Sequence, residues 1–331
     1  MKAAVCRKWG PPESLKLETV KVPELKDGEV LVQVKACSAN FPDMLLVAGK
    51  YQAKPKFPFV PGSDIAGVVV KAAEDGIYSV GDHVMAMMPM GGFAEFIACP
   101  EQRIIPIPEG MEFTSAAASM MAHGTSYYAL KQRGKLKKKE KLLVLGAAGG
   151  CGMAAVMLGK AMGAHVIAAA STSDKLEAAR KAGADEVVQY TRENLKKRVK
   201  ELTDGKGVDV VFDPVGGKFS EAAVRSMRWG GRYLIVGFAA GEIPRIPLNL
   251  LLLKTASLVG VFWGAWLQRS PAKALENMME IQEMMQKGLL SDMVTKKYAL
   301  KDAWKALDDI KRRRAVGKIV VTVDGHTKSK L

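Results

Sequence analysis

Residues 141–171 read KLLVLGAAGGCGMAAVMLGKAMGAHVIAAAS: a short apolar strand, a glycine turn, a helix of small residues and a second apolar strand. That order of elements leaves few folds open. Gly146 lets the backbone turn sharply out of the strand, Gly149 leaves room for a pyrophosphate, and Gly152 lets the helix lie close on a sheet. Gly150 and Cys151 complete the turn, whose helix would aim its first amides at phosphate oxygens. The spacing is GxxGxxG rather than GxGxxG, and a glycine triplet alone marks only a tight turn. Two apolar strands flanking it within about thirty residues make it half of a dinucleotide site. A membrane span is the bland alternative, and Lys160, His165 and five glycines between Gly146 and Gly159 argue against it.

The residue that ends the second strand selects the dinucleotide. A carboxylate about 20 positions after the turn would hold a free ribose 2′-hydroxyl; here the chain reads Ser171-Thr172-Ser173, with Lys175 one turn on. A lysine in the first turn of a helix opposes the dipole by roughly 0.3–1 kcal/mol unless an anion offsets it. The expected cofactor is therefore NADPH. The competing reading is that Ser171 or Ser173 caps the helix and Lys175 is solvated.

Further strands follow at EVVQY, VDVVFD, RYLIVGF and SLVGVF, with helical segments between most of them, giving six strands of a parallel sheet. Gly183 and Gly230-Gly231 stand where helix ends need positive φ. Before about residue 120 the chain has short alternating runs (EVLVQVKA, IAGVVVKA, AEFIACP) broken by Gly, Pro and Asp. After Trp263 it returns to helix and then to a closing strand, KIVVTV, expected to rejoin the first domain. The fold class is α/β: a doubly wound Rossmann sheet inserted in a β-rich domain, with boundaries at 1–122, 123–264 and 265–331.

With 331 residues, 25% of them charged and 48% hydrophobic, the chain is globular and long enough for two cores. Cys6, Cys37, Cys99 and Cys151 form neither a CxxC pair nor a disulfide framework, as expected of an intracellular protein. No apolar stretch of secretory type follows Met1. The net charge of +15 gathers at 131–141, 192–206 and 311–318. Acidic residues interleave two of these runs and no nucleic-acid-binding motif accompanies them, so nucleic acid is not the expected partner. A polyanionic cofactor or acyl-CoA substrate would also be drawn by such a field.

The order of these parts resembles the medium-chain dehydrogenase/reductase superfamily, whose β-rich lobe is GroES-like. Within it, NFPD (40–43), GKYQAKPKFPFVPGSDIAGVV (49–69), HGTSYYAL (123–130), GAAGGCG (146–152) and GFAAG (237–241) are similar to the zinc-free quinone oxidoreductases. IPLNLLLLK (246–254) with FWG (262–264) resembles the quinone-oxidoreductase-like branch. The resemblance implies Thr125 near the nicotinamide, Tyr190 beside Lys175 at the 2′-phosphate, and backbone at Phe238, Phe262, Trp263 and Gly264 bordering the nicotinamide, Trp263 also walling the acceptor pocket. Lys318 matches a basic position and is a phosphate candidate.

The zinc enzymes of the superfamily place a cysteine three residues before an aspartate, then a His-Glu pair. This chain has Asn40 before Asp43, and Ser63-Asp64. His83, His123, His165 and His326 stand apart, and no metal is expected. A metal-free site must pass hydride to an acceptor already electrophilic: a quinone, or a double bond conjugated to a carbonyl. Asn40 is expected to donate from its amide to the acceptor oxygen, and Asp43 to order the loop. Tyr51 is a phenol able to donate a proton, the role the resemblance to enoyl reductases implies for it, or a boundary tyrosine packing beside Phe57 and Phe59.

Three functions stay open at this stage: an NADPH-dependent quinone or enone reductase, which includes a peroxisomal enoyl-CoA reductase; an NADPH-binding protein with a crystallin-like structural or RNA-binding role; and a zinc alcohol dehydrogenase. The apolar SLVGVF edge leads us to expect a homodimer. Ser329-Lys330-Leu331 at a free C-terminus would engage the peroxisomal import receptor in a eukaryote; in a bacterium the expected location is cytoplasmic.

Overall fold

The computed structural model describes residues 1–323; the Ser329-Lys330-Leu331 tripeptide and His326 lie outside them. The chain forms two compact units, Met1–Met121 with the chain from Met293, and Ala122–Asp292.

Among the described residues the second unit holds a six-stranded parallel sheet. Its spatial order is Glu186–Gln189, His165–Ala170, Lys141–Leu145, Val208–Asp213, Met227–Ile235 and Ser257–Gly260. The central strands are continuous apolar runs because helices cover both faces, so neither face meets water. The first strand in sequence lies in the middle and the order reverses beside it, between Lys141–Leu145 and Val208–Asp213. In sheets of this kind that reversal opens a crevice at the carboxyl ends of the strands.

Two sequence expectations change. Gly230, with φ +70°, does not cap a helix, since the preceding helix ends at Ser226. It sits inside the strand Met227–Ile235, at an irregularity where the pairing with Val208–Asp213 jumps from Met227 to Arg232, with its N–H on the Lys254 carbonyl at 2.8 Å. The helices Trp263–Arg269 and Pro271–Gln286, expected in the return to the first domain, belong to the second unit. Tyr127 donates to Glu280 at 2.6 Å and Gln132 to the buried Asn277 at 2.8 Å, fastening the longer helix there. The return begins at Met293.

The first unit is built on Glu29–Ala39, which pairs antiparallel with Lys318–Thr322, Asp64–Lys71 and Phe96–Pro100. Register shifts at Leu31/Val32 and Val34/Ala36 bend this strand, so that one element serves three partners. The closing strand does rejoin the first domain, with Val320 opposite Ser38, and Ser38 lies opposite Asp64 on the other side. Three distant segments thus meet at one point of the sheet.

Candidate active site

The glycine turn of the second unit behaves as its residues dictate. Gly146 adopts φ +60°, and a Cβ at Gly152 would fall 2.2 Å from the Gly146 carbonyl oxygen, so only glycine lets the helix Gly150–Ala161 approach. Gly149 is the N-cap, and a Cβ there would meet nothing nearer than that same oxygen at 3.5 Å. The space over the turn is open. Within the first turn the amides of Gly150 and Gly152 have no acceptor in the helix itself, the feature an anion at this place requires. Ser126 donates to the Cys151 carbonyl at 2.8 Å and pins the helix start to the helix Phe113–Tyr127, which carries Thr125.

At the next strand end Ser171 is held through its carbonyl, which accepts from Thr191 at 2.6 Å and Gln189 at 3.3 Å. The cap of the following helix is neither serine: Thr172 accepts from the Lys175 amide at 3.4 Å. Lys175 thus starts a capped helix beside Ser171. Tyr190 follows the neighbouring strand, its ring packed on Phe219 with centroids 4.2 Å apart.

Beyond the reversal, Phe238 lies against the turn after Val208–Asp213: a Cβ on Gly216 would come within 2.9 Å of its ring. Trp263 is 6% exposed and fills the space beside Gly124, where a Cβ would stand 2.3 Å from the indole. Phe262 is 60% exposed. Gly264 is the second residue of the helix Trp263–Arg269, with the Phe262 ring 3.9 Å from the place a Cβ would take.

In the first unit, a buried polar network surrounds Asn40, the N-cap of Phe41–Val47. Its Nδ2 donates to the Ser38 carbonyl at 3.2 Å and to Asp64 Oδ2 at 3.1 Å, and its Oδ1 accepts from Lys318 Nζ at 2.5 Å. Both amide hydrogens are thereby committed inside the protein, and Asn40 has none to offer an acceptor. This corrects the expectation drawn for it. Lys318 is 4% exposed, and its ammonium donates to Asn40.

Asp43 orders its loop as expected, accepting from the Asn40 N–H at 2.9 Å and from the Ser63 hydroxyl at 2.7 Å. Burial pushes the Asp43 carboxyl up to about 6, against the pull of its hydrogen bonds from Ser63 and Asn40 and of Lys318. Asp64 goes up to about 7, also through burial, with Lys318 opposing and Asp43 adding. Its Oδ2 accepts a second bond, from the Met121 amide at 3.3 Å, while its Oδ1 has no partner among the described residues. Burial and then the Asp43 charge raise the Tyr51 phenol as well, so it remains a proton donor throughout the neutral range. Tyr51 packs against the core of this unit, whereas the ring contacts of Phe57 and Phe59 run to each other and to Trp9, at 4.5–5.8 Å.

Sequence reasoning missed Trp9, the Lys318 contact and Asp213. Of these only Asp213 left a signal: a carboxylate closing the otherwise apolar run of VDVVFD.

A family model described as alcohol dehydrogenase GroES-like domain matches residues 26–109, and one described as zinc-binding dehydrogenase matches 150–280. Among the described residues no group of three or more His, Cys, Asp and Glu could hold a metal ion, so the residues present do not fit zinc. The chain is 37% identical over 324 residues to the quinone oxidoreductase-like protein 2 homolog of Nematostella vectensis, covering 97% of this chain and 88% of that one. A probable oxidoreductase from Mycobacterium abscessus has a similar structure, at 37% identity, TM-score 0.89 and coverage of 97% and 98%. The quinone oxidoreductase of Thermus thermophilus, solved also in complex with NADPH, gives 33% identity, TM-score 0.84 and coverage of 97% and 100%. By these matches over nearly its whole length, the chain belongs to the quinone oxidoreductase family of the medium-chain dehydrogenase/reductase superfamily.

Proposed function

We propose that the chain is an NADPH-dependent, zinc-independent reductase that transfers hydride to quinones or to α,β-unsaturated carbonyl compounds. The observation that carries this reading is the end of the strand His165–Ala170. Ser171, Thr172 and Lys175 stand where a carboxylate would repel a 2′-phosphate, and an open glycine turn lies on the adjacent strand. NADPH complexes are described for the Thermus thermophilus and Escherichia coli quinone oxidoreductases, at 33% and 27% identity.

The amides of Gly150 and Gly152 would bind the pyrophosphate, and Ser171, Lys175 and Tyr190 the 2′-phosphate. Thr125, Phe238 and the backbone of Phe262–Gly264 would border the nicotinamide. NADPH supplies a hydride when bound. Reduction of a quinone or enone then takes one proton besides, and Tyr51, kept protonated by burial and by Asp43, is the donor proposed for it. Asn40, with its donors engaged, holds the network that sets Asp43 in place.

A panel of naphthoquinones, enones and enoyl-CoA, each with NADPH and with NADH, tests the reading on the purified protein. Oxidation of NADPH by at least one acceptor class, at least tenfold faster than that of NADH, is expected. Equal use of both cofactors would sink the Lys175 argument, and no turnover on any acceptor would sink the reductase.

A homodimer is part of the proposal. Ser257–Gly260 is a sheet edge with a single partner strand, and Leu248, Leu252 and Leu253 are each about 70% exposed or more, a combination that soluble monomers avoid. Where Leu331 is a free terminus in a eukaryotic cell, Ser-Lys-Leu would direct import into the peroxisome. Fluorescent fusions with and without the tripeptide would test this.

A further inference from the structure

Asp213 closes the strand Val208–Asp213 and is 2% exposed. Its Oδ1 accepts from the amides of Val215 at 2.7 Å and Gly216 at 2.9 Å. Its Oδ2 accepts from the Ser220 hydroxyl at 3.0 Å and from the Tyr233 phenol, both donors themselves buried. Four donors fill the lone-pair sites of this carboxylate. Two of them come from the turn just after the strand, and a third from the neighbouring strand Met227–Ile235. The carboxylate is the knot of that turn.

The turn touches both halves of the crevice. Val215 packs directly on the glycine turn, since a Cβ on Gly146 would come 2.6 Å from its Cγ2. Gly216 and Gly217, at φ +69° and +65°, lie against Phe238 and Ala240 at distances that leave no room for a Cβ. The backbone of the turn is laced to the loop after the next strand: Val236 N–H to Asp213 O at 2.9 Å, Ala239 to Pro214 at 3.1 Å, Ala240 to Val215 at 2.8 Å and Gly217 to Glu242 at 3.1 Å. Asp213 and Gly146 end the two strands that flank the reversal of strand order, the position at which open α/β sheets bind their ligands.

We propose that Asp213 is the positioning residue of the cofactor crevice: it fixes the turn 214–217, which in turn sets the glycine turn on one side and the Phe238 loop on the other. This rests on the NADPH reading of the same crevice. Asp213 is buried and acts through backbone it orders in advance, so the cofactor meets a formed site instead of ordering a loose one.

The test uses Asp213→Asn, Tyr233→Phe and Ser220→Ala in the full-length protein. Hydrogen exchange without cofactor is the first readout. In Asp213→Asn the amides of Val215 and Gly216 should exchange at least tenfold faster, with Gly217, Ala239 and Ala240 following, while Ala182, whose amide is held by Ala178 O at the end of the helix Ser173–Lys181, should not change. NADPH binding, followed by nicotinamide fluorescence with no acceptor present, should weaken at least tenfold. In turnover, KM for NADPH should rise by a similar factor, with KM for the acceptor and kcat within threefold of wild type. Tyr233→Phe and Ser220→Ala should do the same to a smaller extent, which preserves the test should Asp213→Asn fail to fold. Exchange at Val215 and Gly216 and NADPH affinity both within twofold of wild type in the folded variants would overturn the proposal. So would a parallel rise in both KM values with general loosening. A wild-type protein that binds no NADPH would instead overturn the cofactor reading, and the exchange measurement alone would then decide the role of Asp213 in the turn.

Discussion

Tyr51 and Asn40 are two polar residues of one segment in different surroundings. Tyr51 keeps its proton because burial and Asp43 both disfavour the phenolate, so Tyr51→Phe should lower kcat about 100-fold and leave NADPH affinity unchanged by fluorescence titration. Asn40→Ala instead strips a partner from the buried Lys318 ammonium and from Asp64. A loss on the order of 3 kcal/mol is expected, read as a fall in melting temperature. Asp43 and Asp64 give the molecule a pH signature. Each folded-state pKa lies above the ordinary 3.8, at about 6 and about 7, so the folded protein binds these protons more tightly than the unfolded chain. Their contribution to stability is fully present below pH 3.8 and is lost as pH rises through 6–7. Asp64→Asn should flatten that part of the profile, measured as melting temperature from about pH 4.5 to 8. Amide chemistry marked Asn40 and the resemblance marked Tyr51, but the commitment of Asn40 was illegible, because Lys318 lies 278 residues away and only the register of the closing strand brings it there.

At the level of elements, the glycine helix was the most legible because its demands are steric and local. Gly152→Ala would force a methyl into the Gly146 carbonyl; a loss of about 1–3 kcal/mol and weaker NADPH binding are expected, measured by denaturation and titration. The strands Lys141–Leu145, His165–Ala170 and Val208–Asp213 were equally plain, since burial on both faces writes a continuous apolar run. The helix Pro271–Gln286 was not. Its amphipathic pattern announces a buried face without naming the neighbour, and the bonds to Tyr127 and Gln132 that settle the matter are long-range. Gly230 misled for a related reason: a glycine pair after a helix serves a cap or a strand irregularity equally well until the Lys254 carbonyl is known to receive its N–H.

Across the whole molecule, the excess of positive charge is partly answered on the surface that carries it. Arg312 and Arg314 pair with Asp308 and Asp309 at 2.8–3.0 Å, and Arg198 with Glu193 and Glu201. Weak RNA retention, abolished by moderate salt, is the expected outcome of a filter-binding assay. Sedimentation should give a dimer, and Val259→Lys in the exposed edge strand should shift it toward monomer.

The first unit draws on both ends of the described chain, since Lys318 must reach Asn40 and Val320 must pair beside Ser38, whereas the second is written without interruption between Ala122 and Asp292. On the ribosome, then, the inserted unit has every residue it requires while the earlier one still waits with an unneutralised acidic pair. Emergence of the final strand is the event that closes that lobe, and a nascent chain halted before Lys318 should yield a protease-resistant fragment from the later half only.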